Sequence, residues 1–355
     1  GFARVCFFAR IRAGMLDVLF SLVKWIGILV GGVFGLFVLL IIGLIGSIFV
    51  WEVWRSIRKA RRERRVSLGR GRSVAQLAKR LQVEPETLRA FAPAYRTAMI
   101  KKRSGGERKL SIPDPATKQL QRTILRRLLK RLRVHPSCIG FEPGKSIVHN
   151  ALPHVGRAVV LKFDIVDFFP RTTAARIDRY FRMIGWDAEA AALLTKLCTH
   201  EDGLPQGAPT SPRLSNLVNF GLDHVFQKIA ERRKGSYTRY ADDLTFSFPK
   251  DYPKKMRGVC QLVKQIVNKH GYQLQQKKSH TLRRHQRQMV TGLVVNDKVQ
   301  LSRARRRQLR AIEHRLRNNR RATMTEVQFA GWQALQKMIE KQVAVTVAET
   351  TPGRG

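Results

Sequence analysis

Along residues 118–132, KQLQRTILRRLLKRL, apolar side chains recur at Leu120, Ile124, Leu128 and Leu132, the spacing of a helix with one buried stripe. AVVLKFDIVDFF at 158–169 is continuously apolar and β-branched instead, which predicts a strand inside a sheet with Asp164 near its end. KKRSGGERKLSIPDP (101–115) predicts a basic hairpin turning at Gly105-Gly106, and RYADDLTFS (239–247) a second hairpin. From Ser73, a Ser73/Gln76 capping box and apolar positions at Val74, Leu77, Leu81 and Leu88, broken at Glu84-Pro85, predict two short helices. These form either a small packing module or a DNA-reading helix-turn-helix. Further helical patterns fall at 174–197, 211–233 and 253–270. After Leu301 a very basic helical stretch keeps Leu309, Ile312 and Leu316 inward. Strands interrupted by helices in this way indicate an α+β fold.

The front of the chain is different. Ile26 to Trp51 carries no charge over 26 residues, enough to cross a bilayer as one helix with some tilt. A two-helix hairpin over Met15–Trp54, turning near Gly31-Gly32, fits as well. The basic run Arg55–Arg65 follows, against only Arg4, Arg10 and Arg12 before Asp17, so the remainder is expected on the cytoplasmic side of the inner membrane. The expected division is therefore 1–65 membrane segment and basic flank, 66–99 linker and small helical module, 100–285 and 286–345 the main body, and 346–355 a disordered tail.

Charge narrows the partner. The chain holds 67 Lys+Arg against 25 Asp+Glu, a net +42, and most of that excess lies after residue 70, which points to a polyanion such as nucleic acid. Cys6, Cys138, Cys198 and Cys260 are too far apart for a CxxC metal knuckle and read as packed thiols of a reducing compartment.

Against this background the acidic positions stand out. Asp164 ends one strand, and Asp242 and Asp243 sit side by side in a hairpin where aspartate is disfavoured. Carboxylates gathered in one place repel unless divalent cations neutralise them, and all-oxygen ligands select Mg²⁺. Two such ions support in-line phosphoryl transfer. The alternative is a plain β-turn pair with a strand-end cap.

The neighbouring residues resemble the reverse transcriptases. Phe163-Asp164-Ile165-Val166-Asp167-Phe168-Phe169 matches that family's FDxxDFF, Tyr240-Ala241-Asp242-Asp243 its YxDD, and GLPQGAPTSPRLSN (203–216) its LPQG segment. The resemblance implies a right-hand polymerase of fingers and palm (100–285) and helical thumb (286–345). It implies two Mg²⁺ held by Asp164, Asp242 and Asp243 with Ile165 beside them, and Asp167 in support. It places Phe169 under the deoxyribose as steric gate, Gln206 on the incoming dNTP, and Lys102 and Arg108 as a clamp on the triphosphate. Lys278 matches the lysine that protonates pyrophosphate, with Lys277 as a substitute, and the arginine-rich end matches a duplex-gripping thumb.

Two shorter elements resemble the retron branch. Asn150-Ala151-Leu152-Pro153-His154 looks like NAxxH, and Val290-Thr291-Gly292 like the VTG element that helps recognise the cognate structured RNA. The resemblance implies an enzyme that primes on its own noncoding RNA, makes branched RNA-linked DNA, and serves antiphage defence beside an effector. A different defence-associated polymerase of the same fold, or a non-enzymatic membrane-tethered RNA-binding protein, are the rival readings.

Overall fold

The computed structural model describes residues 71–101, 105–318 and 321–350, with side chains to 345. The chain divides at Arg70 into two units, and the second is described here. The apolar segment Ile26–Trp51, its basic flank and Cys6 lie outside the described residues. Among the described residues no helix is long and apolar enough to cross a membrane.

The second unit opens with α1 (Val74–Leu81) and α2 (Pro85–Ala90), the first capped by the Ser73 side chain, which accepts from the Gln76 amide. The preceding Gly71-Arg72, expected to be linker, is instead built in, because the Arg72 amide donates to Gly185 O and the Asp187 amide to Arg72 O. Strands β1 (Tyr95–Lys101) and β2 (Glu107–Pro113) pair in register from Tyr95↔Pro113 to Lys101↔Glu107. The hairpin thus starts five residues before the expected boundary at 100, since each residue of β2 needs a partner. α3 (Pro115–Ile124) follows and widens into a π turn over Leu125–Leu129. The single helix expected at 118–132 is therefore interrupted, although its stripe at Ile124 and Leu128 is buried as predicted.

Next come α4 (Ile147–Ala151) and β3 (Val159–Asp164). The strand is half the predicted length because its partner strand ends opposite Asp164, and the chain then turns through Asp167 at φ +48°. The pattern at 174–197 resolves into α5 (Ala174–Met183) and α6 (Ala188–Cys198), parted by Gly185 at φ +103° and restarted by the Asp187 cap on the Ala190 amide. That at 211–233 becomes α7 (Ser211–Val218) and α8 (Phe220–Glu231). Then follow β4 (Ser236–Tyr240), β5 (Asp243–Phe248), α9 (Pro253–Lys269) and β6 (His280–Arg283). A small hairpin, β7 (Met289–Val290) and β8 (Leu293–Val294), precedes α10 (Arg303–Arg317) and α11 (Glu326–Thr350). The last helix runs five residues past 345, where a disordered tail was expected.

The central sheet has the antiparallel order β4-β5-β3-β6. Val159, Leu161, Phe163, Leu244, Phe246 and Phe248 alternate onto one face and bury against α8 and α9. The other face is partly polar at Thr238, Thr245 and Ser247, and Val160 joins it to a third core made with α4, β7, β8, α10 and α11. A separate core unites α1 to α3 with α5 to α7. Phe169, just past the sheet end that carries Asp164, packs against both this core and the one formed with α8 and α9.

Candidate active site

The register of the sheet assembles the acidic group. Asp164 pairs with Asp243 across β3 and β5, and the Ile165 amide donates to Asp242 O at 3.1 Å, so residues 78 positions apart in sequence share one sheet end. Burial first, then the neighbouring Asp243 and Asp164, push the Asp242 carboxyl up to about 6. Asp243 is also raised, by burial first. Lys278 Nζ lies 3.0 Å from Asp164 Oδ2, and this bond raises the lysine's pKa.

Such a site is short of positive charge and offers only oxygen donors, which fits hard divalent cations. Asp164 and Asp242, with Ile165 alongside, line the cleft where such ions would sit. Asp243 is half-buried beside them but does not line the cleft, and its charge is compensated chiefly by Lys162. Among the described residues no three acidic, His or Cys side chains yet close on one point, the Lys278 ammonium being the cation now seated on Asp164.

The cleft has a volume of about 890 Å³, and Asp164, Ile165, Asp167, Phe169, Gln206, Arg108, Asp242 and Lys278 all line it. Lys277 does not line it, leaving Lys278 as the site lysine. Lys102 lies outside the described residues, and Arg108 is exposed on β2. Gln206 is placed by its backbone, whose carbonyl accepts from the Ser111 amide at 2.9 Å. The Gly207 that follows, at φ +126°, holds a conformation that favours glycine, close against Ser111 O.

The family described as Reverse transcriptase (RNA-dependent DNA polymerase) matches residues 100–333. The retron Ec86 reverse transcriptase of Escherichia coli is 35% identical over 247 residues, 68% of this chain and 77% of that one. The chain belongs to the retron reverse transcriptases. The retron Mx65 reverse transcriptase of Myxococcus xanthus is 38% identical over 279 residues, 74% of this chain and 65% of its own length. The Mx162 enzyme of the same organism is 36% identical over 258 residues, 63% of this chain and 53% of that one. The chain thus spans just under two thirds of the Mx65 protein and about half of the Mx162 protein.

The two retron elements are differently placed in this reverse transcriptase from a direct RNA-reading surface. His154 is fully buried, its Nδ1 paired with Ser247 Oγ at 2.7 Å and its Nε2 with Thr238 Oγ1 at 2.8 Å, so it pins β5 and β4 together. Burial first, then the charge of Arg157, push its pKa down to about 3. Asn150 and Val290 are fully buried too. From the resemblance, Asn150, His154, Val290, Thr291 and Gly292 are the expected RNA-binding residues; the side chains of the first three lie inside the fold. Thr291 Oγ1 donates to Ile147 O at 3.2 Å and meets Asn150 Nδ2 at 3.5 Å, so the NAxxH and VTG elements touch each other. Gly292 alone of the five is exposed, at the turn between β7 and β8.

One group escaped the sequence reading. Arg239, the first residue of RYADD, is fully buried and forks onto fully buried Asp223, Nε to Oδ1 and Nη2 to Oδ2 both at 2.7 Å. Its Nη1 donates to Ala241 O and Asn216 Oδ1, each at 3.2 Å, so the turn before Asp242 is fastened from beneath. In so basic a chain a further arginine carries no signal, and Asp223 lies on a different element.

Proposed function

We propose that this reverse transcriptase is the RNA-directed DNA polymerase of a retron, copying part of a cognate structured noncoding RNA into branched RNA-linked single-stranded DNA (msDNA) from dNTPs. The observation that carries the reading is the cleft in which Asp164 and Asp242, from one sheet end, meet Arg108, Phe169, Gln206 and Lys278. Two Mg²⁺ ions, when bound there, would supply activation of the attacking hydroxyl and stabilisation of the leaving oxygen. Asp164 and Asp242 would hold them, with Asp243 half-buried beside the pair. Arg108 balances triphosphate charge, and Phe169 lies under the sugar, where a 2′-hydroxyl would collide. Lys278 donates its proton to pyrophosphate only after leaving Asp164, because that bond holds the proton on Nζ. On α10, Leu309 and Ile312 face inward, leaving Arg303, Arg306, Arg307 and Arg310 exposed to grip duplex phosphates.

A role in antiphage defence with an effector protein goes with the retron reading. The uncharged Ile26–Trp51 segment and its basic flank support anchoring in the inner membrane with the polymerase in the cytoplasm. Fractionation with and without residues 1–54 tests that part, and a wholly soluble full chain would refute it.

Co-expression with the adjoining noncoding RNA, followed by isolation of RNA-linked DNA, tests the activity. The parent is expected to accumulate branched product, and Asp242→Asn with Asp243→Asn to accumulate none. Synthesis by the double variant near the parent's level would sink the assignment. Unbranched product alone would overturn the branched msDNA part of the reading and leave the polymerase activity standing.

A further inference from the structure

Phe141 stands in the cleft with 47% of its surface exposed, and it belongs to none of the three cores. Its backbone is at φ +63°, a left-handed conformation that works against an aromatic residue by about 1–2 kcal/mol. Strain of this kind persists only where the surroundings over-determine it.

Here they do. The Ile139 and Gly140 amides donate to Arg239 O at 2.8 and 3.4 Å. Asn216 Nδ2 donates to Gly140 O at 2.8 Å and to Glu142 Oε1 at 2.7 Å, and Glu142 is ion-paired with Arg213. A side chain on Gly140 would meet the Ala241 amide nitrogen at 2.7 Å, so the loop lies flush against the turn that carries Asp242. Both neighbours of Phe141 are thus fixed to the network beneath the catalytic turn while its ring is left in the open. That ring lies 6.1 Å from Phe169 and 6.4 Å from Tyr240, centroid to centroid. Packing gains little from the arrangement, and a planar ligand would gain much.

We propose that Phe141 is an aromatic contact for the terminal base pair of the primer–template duplex. The inference rests on the polymerase reading, which sets the incoming sugar on Phe169 and the primer 3′ end at Asp164 and Asp242. A ring adjoining both Phe169 and Tyr240 then abuts the pair immediately behind the incoming nucleotide. Before a nucleotide arrives the outer face of that pair is open, and every base offers such a face, so the contact tolerates any sequence, as copying requires.

The test measures equilibrium binding of a fluorescent annealed primer–template to the full chain without dNTP, together with single-nucleotide incorporation. Phe141→Ala and Phe141→Leu are expected to raise the Kd about tenfold, equivalent to about 1.4 kcal/mol. Phe141→Tyr should stay within about twofold of the parent, because it keeps the aromatic face. The KM for dNTP should change less than the duplex Kd. Phe141→Gly is expected to bind as weakly as Phe141→Ala yet to melt no lower than the parent, since glycine is at ease at this φ. Equal duplex affinity for parent and Phe141→Ala, leucine serving as well as tyrosine, or a lower melting temperature for Phe141→Gly would each overturn the contact. If duplex binding depends on Phe141 as stated but the parent incorporates no dNTP, the polymerase reading fails and the contact stands.

Discussion

Removing the Asp223 carboxylate puts the foundation of the catalytic turn to a quantitative test. Asp223→Ala takes away both prongs of the fork on Arg239, as well as the acceptor of the Tyr237 hydroxyl at 2.8 Å. The guanidinium is then left with no solvent contact and two bonds of 3.2 Å, to Asn216 and Ala241. Breaking a buried pair from one side costs about 3–5 kcal/mol, whereas replacing both charges by apolar groups of similar size is near neutral or better. Against a total stability of about 5–15 kcal/mol, the single change is severe. Denaturant unfolding of the parent, Asp223→Ala, Arg239→Met, and Asp223→Leu with Arg239→Met measures it. Each single variant is expected to lose about 3–5 kcal/mol and the double variant less, about 1–3 kcal/mol, because the buried Tyr237 hydroxyl still lacks its acceptor. Primer extension separates the second role: the double variant, though it recovers part of its stability, still lacks the Nη1 bond to Ala241 O and is expected to extend at least about tenfold more slowly. Single losses below about 1 kcal/mol, or a double variant as active as the parent, would refute the reasoning.

Three further outcomes are expected. Because folded His154 stays neutral down to about 3 while an unfolded histidine takes a proton near 6.5, its contribution is complete above 6.5 and is lost as pH falls, about 2 kcal/mol by pH 5; a His154→Gln variant should show a flatter stability profile, and parallel profiles would refute the buried neutral ring. Gly140→Ala drives a methyl into the Ala241 and Tyr240 backbone at 2.7 and 3.1 Å, so kcat should fall at least about tenfold with a stability loss of about 1–3 kcal/mol; unchanged kcat would show that the turn shifts freely. Thr291→Ala with Gly292→Ala strains a turn whose residues sit at φ +45° and +83°, which should remove about 1–2 kcal/mol and impair synthesis on the native folded RNA more than on a generic annealed primer; equal losses on both would assign the turn to packing alone.

What the chain makes legible is what is local. Asp164, Asp242 and Asp243 sit in short motifs whose strand pattern also fixes their register, so the amino-acid order alone points to the sheet end. The basic hairpin and the Ser73 cap are legible for the same reason, each being decided within a few residues. The network under the turn is not, because Arg239 and Asp223 become partners only when α8 packs on β4. His154 misleads in the opposite sense: a histidine in a motif gives no sign of whether its ring will face a ligand or, as here, two hydroxyls inside the sheet. At Gly292 the turn holds φ +83°, a backbone angle that favours glycine and that the amino-acid order by itself does not show.

The backbone bond from the Ser111 amide to Gln206 O has a mechanical consequence for the fingers. It ties the hairpin to the Gln206 loop through main-chain atoms, a bond that among single substitutions at Ser111 only proline abolishes, so Ser111 is a fulcrum. Glu107 and Arg108 lie three to four residues beyond it, an arm of roughly 10–13 Å at the rise of a strand. A small rotation at the fulcrum therefore swings Arg108 across the cleft mouth, while the Gln206 wall stays still. Hydrogen exchange should find the Ser111 amide slow and the arm beyond it fast, and a Ser111 amide as fast as the arm would place the pivot elsewhere.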